Sequence, residues 1–261
     1  MITELIRSFK NKINIRPVFG IFSKTIDPAF IECIGYAGFD FVIIDMEHGP
    51  NNTFSAQNLV RAAQISNLLP IVRVKEDNDT LIGEVLDIGC GGIQIPKVKN
   101  IENIIRIKKA AKFAPLGERG VCRFVRSEGY SAVDQKRYYK ESNESLIIIQ
   151  LEGKEAIENL NDILDVEYYD IVFIGPYDLS QTLGVTGEIN HPLVEKMILD
   201  IVRKCEKKGK IVGNFSDSIE NAIKWINLGI RYISYSVDVG IFYDSCKNLL
   251  QDLKKYKSSK F

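Results

Sequence analysis

The strongest constraint on the fold is an alternation of short apolar runs with longer segments of helical periodicity. The runs are apolar almost throughout, as is typical of parallel strands buried on both faces. They predict eight strands: Val18–Phe22, Asp40–Asp45, Pro70–Val74, Gly92–Ile95, Leu146–Leu151, Asp170–Gly175, Lys210–Asn214 and Tyr232–Ser236. The segments between and after them predict helices: Pro28–Ala37, Thr53–Ser66, Thr80–Ile88, Ile101–Lys112, Lys154–Leu164, Pro192–Lys208, Ser218–Leu228 and one near Tyr243–Lys255.

Eight β/α units in this length predict a TIM (β/α)8 barrel, an α/β fold of about 250 residues. We expect a single domain over residues 1–261, with its core at about 15–250. The alternative is a doubly wound open sheet, although no G-x-G-x-x-G turn follows the first strand. An apolar stripe from Ile2 to Ile13 predicts an N-terminal helix that docks onto the core.

Charge, hydropathy and cysteine content narrow the class of protein. Thirty-four basic residues balance thirty-four acidic ones, which argues against a general nucleic-acid-binding protein because such proteins carry a basic excess. No apolar run approaches the roughly 18 residues of a membrane span, and charges interrupt the N-terminal segment where a signal peptide would be apolar. Five widely spaced cysteines without a C-x-x-C pair disfavour a disulfide framework or a structural zinc site. We expect a cytoplasmic protein without nucleic-acid or membrane partners.

Reactive side chains stand at the ends of several predicted strands, and in a TIM barrel these ends meet at one mouth where the chemistry occurs. Four such groups stand out: His48 after the second strand, Arg73 in the third, Glu152 at the end of the fifth and Asp178 after the sixth. We expect them to converge. The other histidine, His191, precedes a proline that begins a helix, so we expect a structural role for it.

These groups allow more than one role. Glu152 and Asp178 could act as a general acid and base, bind a divalent cation through hard oxygen ligands, or form structural ion pairs. Arg73 lies in a buried apolar run and needs an anionic partner, either a core carboxylate or, as we favour, the substrate. The start of the turn Gly175-Pro176-Tyr177-Asp178 offers backbone N–H groups suited to a substrate carboxylate.

Six motifs in this order resemble the HpcH/HpaI aldolase family. They are D-x-E-H-G-P at Asp45–Pro50, V-R at Val72-Arg73, L-D-I-G-C-G-G-I-Q-I-P at Leu86–Pro96, G-E-R-G at Gly117–Gly120, Q-L-E at Gln150–Glu152 and F-I-G-P-Y-D-L-S at Phe173–Ser180. The resemblance covers roughly residues 15–250. It implies a class II, metal-dependent pyruvate aldolase on a TIM barrel, similar to 4-hydroxy-2-oxoheptanedioate aldolases.

The resemblance also implies roles for single residues. Glu152 and Asp178 match the metal ligands, and Mg²⁺, Mn²⁺ and Co²⁺ all suit two carboxylates. Arg73 matches the arginine that stabilises a pyruvate enolate. His48 matches the histidine of the acid/base step, which acts through a water molecule.

Further residues match the surroundings of such a site. Gln150 and the turn Gly175-Pro176-Tyr177 match substrate-binding positions, although the family usually has a small residue where Tyr177 stands. Phe215 lies in a loop that the family uses to contact the aldehyde half of the substrate, and its ring favours a compact or apolar aldehyde. We assign Asp45 and Glu47 to support of the neighbouring histidine.

The family resemblance implies a homo-oligomer, a hexamer built as a trimer of dimers with exchanged C-terminal helices. Asp87, predicted at a helix end away from its own barrel mouth, matches an aspartate that reaches His48 of a neighbouring subunit; a solvated helix end is the alternative. An apolar face near the C-terminus suits an exchanged helix. Its residues are Ile241, Phe242, Cys246, Leu249, Leu250 and Leu253. The long connection 112–145, which lacks a clear core strand, is functional or an interface.

The implied reaction is reversible cleavage of a 4-hydroxy-2-oxo acid to pyruvate and an aldehyde, both small molecules, through a pyruvate enolate. One alternative is a lyase or condensing enzyme on the same scaffold that acts on a CoA thioester or oxaloacetate. A second is a Schiff-base aldolase, which needs a lysine in the mouth; Lys75 and Lys97 lie near strand ends. A third is a catalytically silent barrel that serves as a binding protein.

Overall fold

The computed structural model describes residues 2–258; Met1 and residues 259–261 lie outside the described part. Eight parallel strands pair in chain order and close into a barrel. They are β1 Val18–Ser23, β2 Phe41–Asp45, β3 Leu69–Arg73, β4 Gly92–Ile95, β5 Leu146–Leu151, β6 Ile171–Ile174, β7 Ile211–Ser216 and β8 Tyr232–Val237. Because β1 pairs with β8, with Val18 opposite Tyr232, the open-sheet alternative is wrong and the predicted TIM barrel is confirmed.

Helices surround the barrel and close its lower end. They are α1 Ile2–Ile15, α2 Pro28–Tyr36, α3 Thr53–Ile65, α4 Asp79–Asp87, α5 Ile101–Ala111, α6 Gln135–Ser142, α7 Lys154–Glu158, α8 Leu160–Leu164, α9 Pro176–Thr182, α10 Pro192–Lys207, α11 Ile219–Asn227 and α12 Asp238–Ser258. A short 3-10 helix spans Arg126–Glu128. Within residues 2–258, no helix is both long and apolar enough to cross a membrane.

Several helix boundaries differ from the sequence-based expectation. The helix expected over Lys154–Leu164 is divided at Asn159 into α7 and α8. The last helix begins at Asp238 rather than near Tyr243. The long connection contains α6, and α9 begins directly after β6. The structural role expected for His191 is confirmed, because its Nδ1 accepts the backbone N–H of Leu193 at the start of α10.

Two apolar cores hold the structure together. The larger core lies between the strands and the surrounding helices. The smaller one fills the barrel from below, where Phe9 of α1 makes edge contacts with the stacked rings of Phe41 and Tyr232. Gly20 on β1 makes room for this stack, since a Cβ atom there would lie 2.2 Å from the Phe41 ring. The predicted docking helix is therefore confirmed as the floor of the barrel, and the opposite end stays open.

Candidate active site

A cavity of about 360 Å³ opens at the carboxyl ends of the strands. Nine of the ten residues assigned to the site from the sequence line it, and Asp87 does not. The nine are His48, Arg73, Gln150, Glu152, Gly175, Pro176, Tyr177, Asp178 and Phe215. They come from loops and strand ends far apart in the chain, and the closed barrel brings them to one mouth.

Within the chain, the anionic partner of Arg73 is a core carboxylate, and the substrate contact that we favour for Arg73 stays a prediction. Nε and Nη2 of Arg73 donate to the two carboxylate oxygens of Asp45 at 2.9 and 2.8 Å, and Nη1 lies 3.2 Å from Oε2 of Glu47. Asp45 on β2 and Arg73 on β3 lie directly opposite each other in the strand register. Two of the five guanidinium N–H groups donate to Asp45, which leaves three that make no side-chain hydrogen bond to this acid.

This contact stabilises the charged form of Asp45. Burial raises the pKa of its carboxyl, but the hydrogen bonds and charge of Arg73 outweigh burial and hold that pKa below its ordinary value. Its Oδ1 also accepts the backbone N–H groups of Glu47 and His48. Asp45 thus holds the backbone at His48, as we expected of a supporting residue, and holds the arginine as well.

His48 lies at the rim of the cavity on the turn after β2. Its side chain is 55% exposed, and its Nε2 is 3.7 Å from Oε2 of Glu47. The imidazole is thereby open to solvent and beside an acid. This position allows proton exchange with water at the mouth.

Glu152 is buried at the end of β5, and each of its carboxylate oxygens accepts an N–H group. The backbone N–H of Lys97 donates to Oε1 at 2.9 Å, and Nε2 of Gln150 donates to Oε2 at 2.8 Å. Lys97 adopts a left-handed backbone conformation with φ of 55°, which is uncommon for a residue other than glycine. A Cβ atom on Gly175 would lie 2.6 Å from Oε2, so a side chain at this position would displace the carboxylate from its present place.

The residues present fit a divalent cation between Glu152 and Asp178. Burial and then the charge of Asp178 raise the pKa of the Glu152 carboxyl to about 7, and a cation would remove this repulsion. Within residues 2–258, no group of three or more His, Cys, Asp or Glu side chains could hold a metal ion. Two protein oxygens would therefore leave the other ligand positions to water and substrate, as is common for Mg²⁺.

Aromatic rings form the wall on the other side of the cavity. The ring of Phe215 lies 6.0 Å from the rings of both Phe22 and Tyr177. The hydroxyl of Tyr177 donates to Oδ2 of Asp217 at 2.8 Å, which links α9 to the loop after β7. Burial and this hydrogen bond raise the pKa of Tyr177 to about 12. The mouth is thus bounded on this side by a tyrosine that the loop after β7 holds in place.

Lys24 also lines the cavity and was missed in the sequence. Its Nζ lies 4.0 Å from Oδ2 of Asp45, whose hydrogen bonds already go to Arg73. The buried carboxylate of Asp238 accepts the backbone N–H of Lys24 and so fixes the loop after β1. Its position directly after a strand could have identified it as a site residue. It was missed because the first strand was expected to end at Phe22, two residues earlier.

Asp87 lies at the end of α4 and outside the cavity of its own chain. Its Oδ1 accepts a 2.6 Å hydrogen bond from Nη2 of the buried Arg119. Both residues line a groove between α4 and α5 on the outside of the barrel. Within one chain Asp87 therefore does not contact His48.

The closed barrel and the reactive groups at its mouth define a TIM-barrel enzyme. The family profile of HpcH/HpaI aldolase/citrate lyase matches residues 18–245. The chain belongs to this family, which confirms the membership and the aldolase or lyase class expected from the motifs. The family uses a divalent metal ion and small-molecule substrates.

Named relatives cover nearly the whole chain. A 2-keto-3-deoxy-L-rhamnonate aldolase of Shigella boydii is 32% identical over 259 residues, which are 98% of this chain and 95% of that protein. A 5-keto-4-deoxy-D-glucarate aldolase of an Enterobacter species is 30% identical over 237 residues, 90% of this chain and 92% of that protein. Both are similar in sequence and named as aldolases.

Solved structures agree in fold. An HpcH/HpaI aldolase/citrate lyase family protein of Burkholderia cenocepacia has a TM-score of 0.90 at 26% identity, covering 97% of this chain and 99% of that one. The citrate synthase SbnG has a TM-score of 0.85 at 29% identity, covering 98% of both chains. The family thus includes proteins named for cleavage and one named for condensation.

Proposed function

We propose that this protein is a divalent-metal-dependent aldolase that reversibly cleaves a 4-hydroxy-2-oxo acid into pyruvate and an aldehyde. The observation that carries the proposal is the carboxylate pair Glu152 and Asp178 beside the guanidinium of Arg73 in one cavity. The pair holds Mg²⁺, Mn²⁺ or Co²⁺. When bound, the ion acts as a Lewis acid toward the carbonyl of the 2-oxo acid.

Side chains of the protein carry out the proton transfers and stabilise the developing charge. His48, through a water molecule, takes the proton of the C4 hydroxyl. The C3–C4 bond breaks, the aldehyde leaves, and the electron pair of the bond remains as the enolate of pyruvate. N–H groups of Arg73 that do not donate to Asp45 donate to the developing oxyanion, and their rigid placement makes them effective. A proton added at C3 gives pyruvate.

Other residues hold the substrate. The backbone N–H groups of Gly175 and Tyr177, on either side of Pro176, bind the substrate carboxylate, and Gln150 lies beside it. Phe215 bounds the aldehyde half. Lys24 follows β1, across the barrel from the end of β5, which Glu152 follows, so it faces the part of the substrate that is remote from the ion.

We also propose that the active form is a homo-oligomer, a hexamer built as a trimer of dimers with exchanged C-terminal helices. Every residue of α12 from Phe242 to Tyr256 is exposed, although the helix carries Leu249, Leu250 and Leu253. A helix of this length gains most of its stability from packing an apolar face. A neighbouring chain supplies this packing and brings Asp87 to His48.

The test is an assay of pyruvate release over a panel of 4-hydroxy-2-oxo acids that differ in the aldehyde half. The panel includes oxaloacetate with a CoA thioester, because SbnG is named as a citrate synthase. Pyruvate release from one or more hydroxy-oxo acids supports the aldolase. Condensation of oxaloacetate with the CoA thioester, without any pyruvate release, would support the condensing enzyme instead. Binding of these compounds without turnover would support a catalytically silent barrel.

A further inference from the structure

A row of polar side chains runs inside the barrel beneath the cavity. Nε2 of Gln94 on β4 donates to Oε1 of Gln150 at 2.6 Å, and Nε2 of Gln150 donates to Oε2 of Glu152 at 2.8 Å. Gln94 and Gln150 are 0% and 1% exposed. Gln94 does not line the cavity. Its side-chain hydrogen bond toward the site is the one to Gln150, and its backbone lies opposite Arg73 on β3.

The barrel itself does not need an amide at this position. Gln94 stands opposite Ile148 on β5, and its chain neighbours Ile93 and Ile95 are apolar and buried. Its carbonyl oxygen Oε1 has no hydrogen-bond partner among the described residues. A buried polar atom without a partner is unfavourable, so an apolar side chain would suit the interior better unless the amide serves the site.

The direction of the row is determined by the carboxylate at its end. A carboxylate only accepts hydrogen bonds, so Gln150 turns its NH2 group toward Glu152 and its carbonyl oxygen away. That oxygen meets the NH2 group of Gln94, which leaves Oε1 of Gln94 as the unpaired end. The unpaired atom is thus the consequence of orienting the amide of Gln150.

We propose that Gln94 is a positioning residue that fixes the amide of Gln150 and, through it, the metal-binding carboxylate of Glu152. The inference rests on the proposed function, in which Glu152 holds the cation. With Gln150 fixed, both oxygens of Glu152 keep an N–H donor, the other one being the backbone N–H of Lys97. The carboxylate of Glu152 is then held in one orientation, and each of its oxygens keeps a lone pair free for a cation. Without Gln94 the Gln150 amide can rotate, and Glu152 loses the donor on Oε2.

The test is a titration of metal-free protein with Mn²⁺, followed by electron paramagnetic resonance of the free ion. Gln94→Met keeps the length of the side chain and removes the donor. We expect the Mn²⁺ Kd to rise about 3–10-fold, below the 10–100-fold typical of a direct partner of a metal ligand. Ile148→Val, which changes packing beside the row but no hydrogen bond, should leave the Kd within about twofold. The kcat of Gln94→Met should recover toward the wild-type value at saturating Mn²⁺.

The outcomes separate this inference from the proposed function. If Glu152→Gln binds Mn²⁺ as the wild type does, the proposed metal site itself is wrong. If Glu152→Gln loses Mn²⁺ but Gln94→Met binds it as tightly as the wild type, only the positioning role is wrong. Should Gln94→Met fail to fold, hydrogen exchange of the Gln94 and Gln150 side-chain amides in the wild type decides. If Mg²⁺ slows the exchange of both side-chain amides, the positioning role of Gln94 is supported. If Mg²⁺ leaves their exchange unchanged, that role is wrong.

Discussion

The carboxylate of Asp45 holds the guanidinium of Arg73 by two parallel hydrogen bonds, and one of its oxygens also accepts the backbone N–H groups of Glu47 and His48. One buried acid therefore fixes both the arginine and the turn that carries the histidine. Because the fork of the guanidinium matches the two oxygens, a single ammonium group cannot replace it.

Arg73→Ala should lower kcat by about 10²–10³, the usual loss for one oxyanion donor. Arg73→Lys should restore little, because Asp45 would hold its ammonium without leaving a directed N–H for the enolate. Steady-state kinetics with saturating metal measures both. Arg137→Ala, which removes an exposed ion pair on α6, is the control and should keep the wild-type kcat. Near-normal turnover of Arg73→Ala would remove this residue from the mechanism.

Tyr177→Ala should widen the mouth and raise the relative kcat/KM for bulky aldehydes, while the handling of pyruvate is unchanged. Tyr177→Phe keeps the ring and removes only the hydrogen bond to Asp217, so it should keep the preference of the wild type. Aldol addition of pyruvate to a series of aldehydes of increasing size measures the effect. An equal change for all aldehydes in Tyr177→Ala would show that the ring does not bound the substrate.

Acid stability should depend on Asp40, which ties α1 to the barrel through Arg16 and Lys12. Burial raises the pKa of Asp40, but the hydrogen bonds from Arg16 and Lys12 outweigh it and hold that pKa below 3.8. Its contribution to the free energy of unfolding is fully present above the unfolded-state pKa of 3.8 and is lost as the pH falls through the lower folded-state value.

Asp40→Asn should therefore reduce the free energy of unfolding by about 1–3 kcal/mol at neutral pH, and the difference from the wild type should shrink below pH 3.8. Urea unfolding across this range measures it. Asp200→Asn, in an exposed pair with Lys204 on α10, should change the free energy by less than about 0.5 kcal/mol. A difference between Asp40→Asn and the wild type that stays constant with pH would contradict the account.

Asp87→Asn should lower kcat although Asp87 lies outside the cavity of its own chain. Co-expression of Asp87→Asn with His48→Ala should restore part of the activity, because some interfaces then pair an intact Asp87 with an intact His48. If Asp87→Asn lowered kcat only because the contact with Arg119 within its own chain is lost, co-expression with His48→Ala would not restore the activity. A fully active monomer by light scattering would contradict the oligomeric site.

The strands were predictable because they are buried on both faces, which makes each one a continuous apolar run. Helix α9 was missed because it has only seven residues and follows its strand without a polar connection. The break at Asn159 was missed because the apolar periodicity continues across it, from Ile157 to Leu160. The apolar periodicity of α12 indicates that a partner covers this helix, but it does not show which residues of a neighbouring chain do so.

At the site, the reactive residues could be found from their place at strand ends, but their partners could not. The pairing of Asp45 with Arg73 depends on the register of β2 against β3, which hydropathy does not report. Gln94 lies within an apolar run and has no distinguishing neighbour, so only the barrel interior shows that it meets Gln150.

Metal dependence of pyruvate release is the most direct test of the proposed aldolase. Protein treated with a chelator should not cleave the best 4-hydroxy-2-oxo acid, and Mg²⁺, Mn²⁺ or Co²⁺ should restore the activity. Glu152→Gln and Asp178→Asn should not regain it at the metal concentration that saturates the wild type, because each removes one of the two carboxylates. Full activity after chelation, with borohydride and pyruvate trapping an adduct on Lys24 or another lysine, would contradict the account.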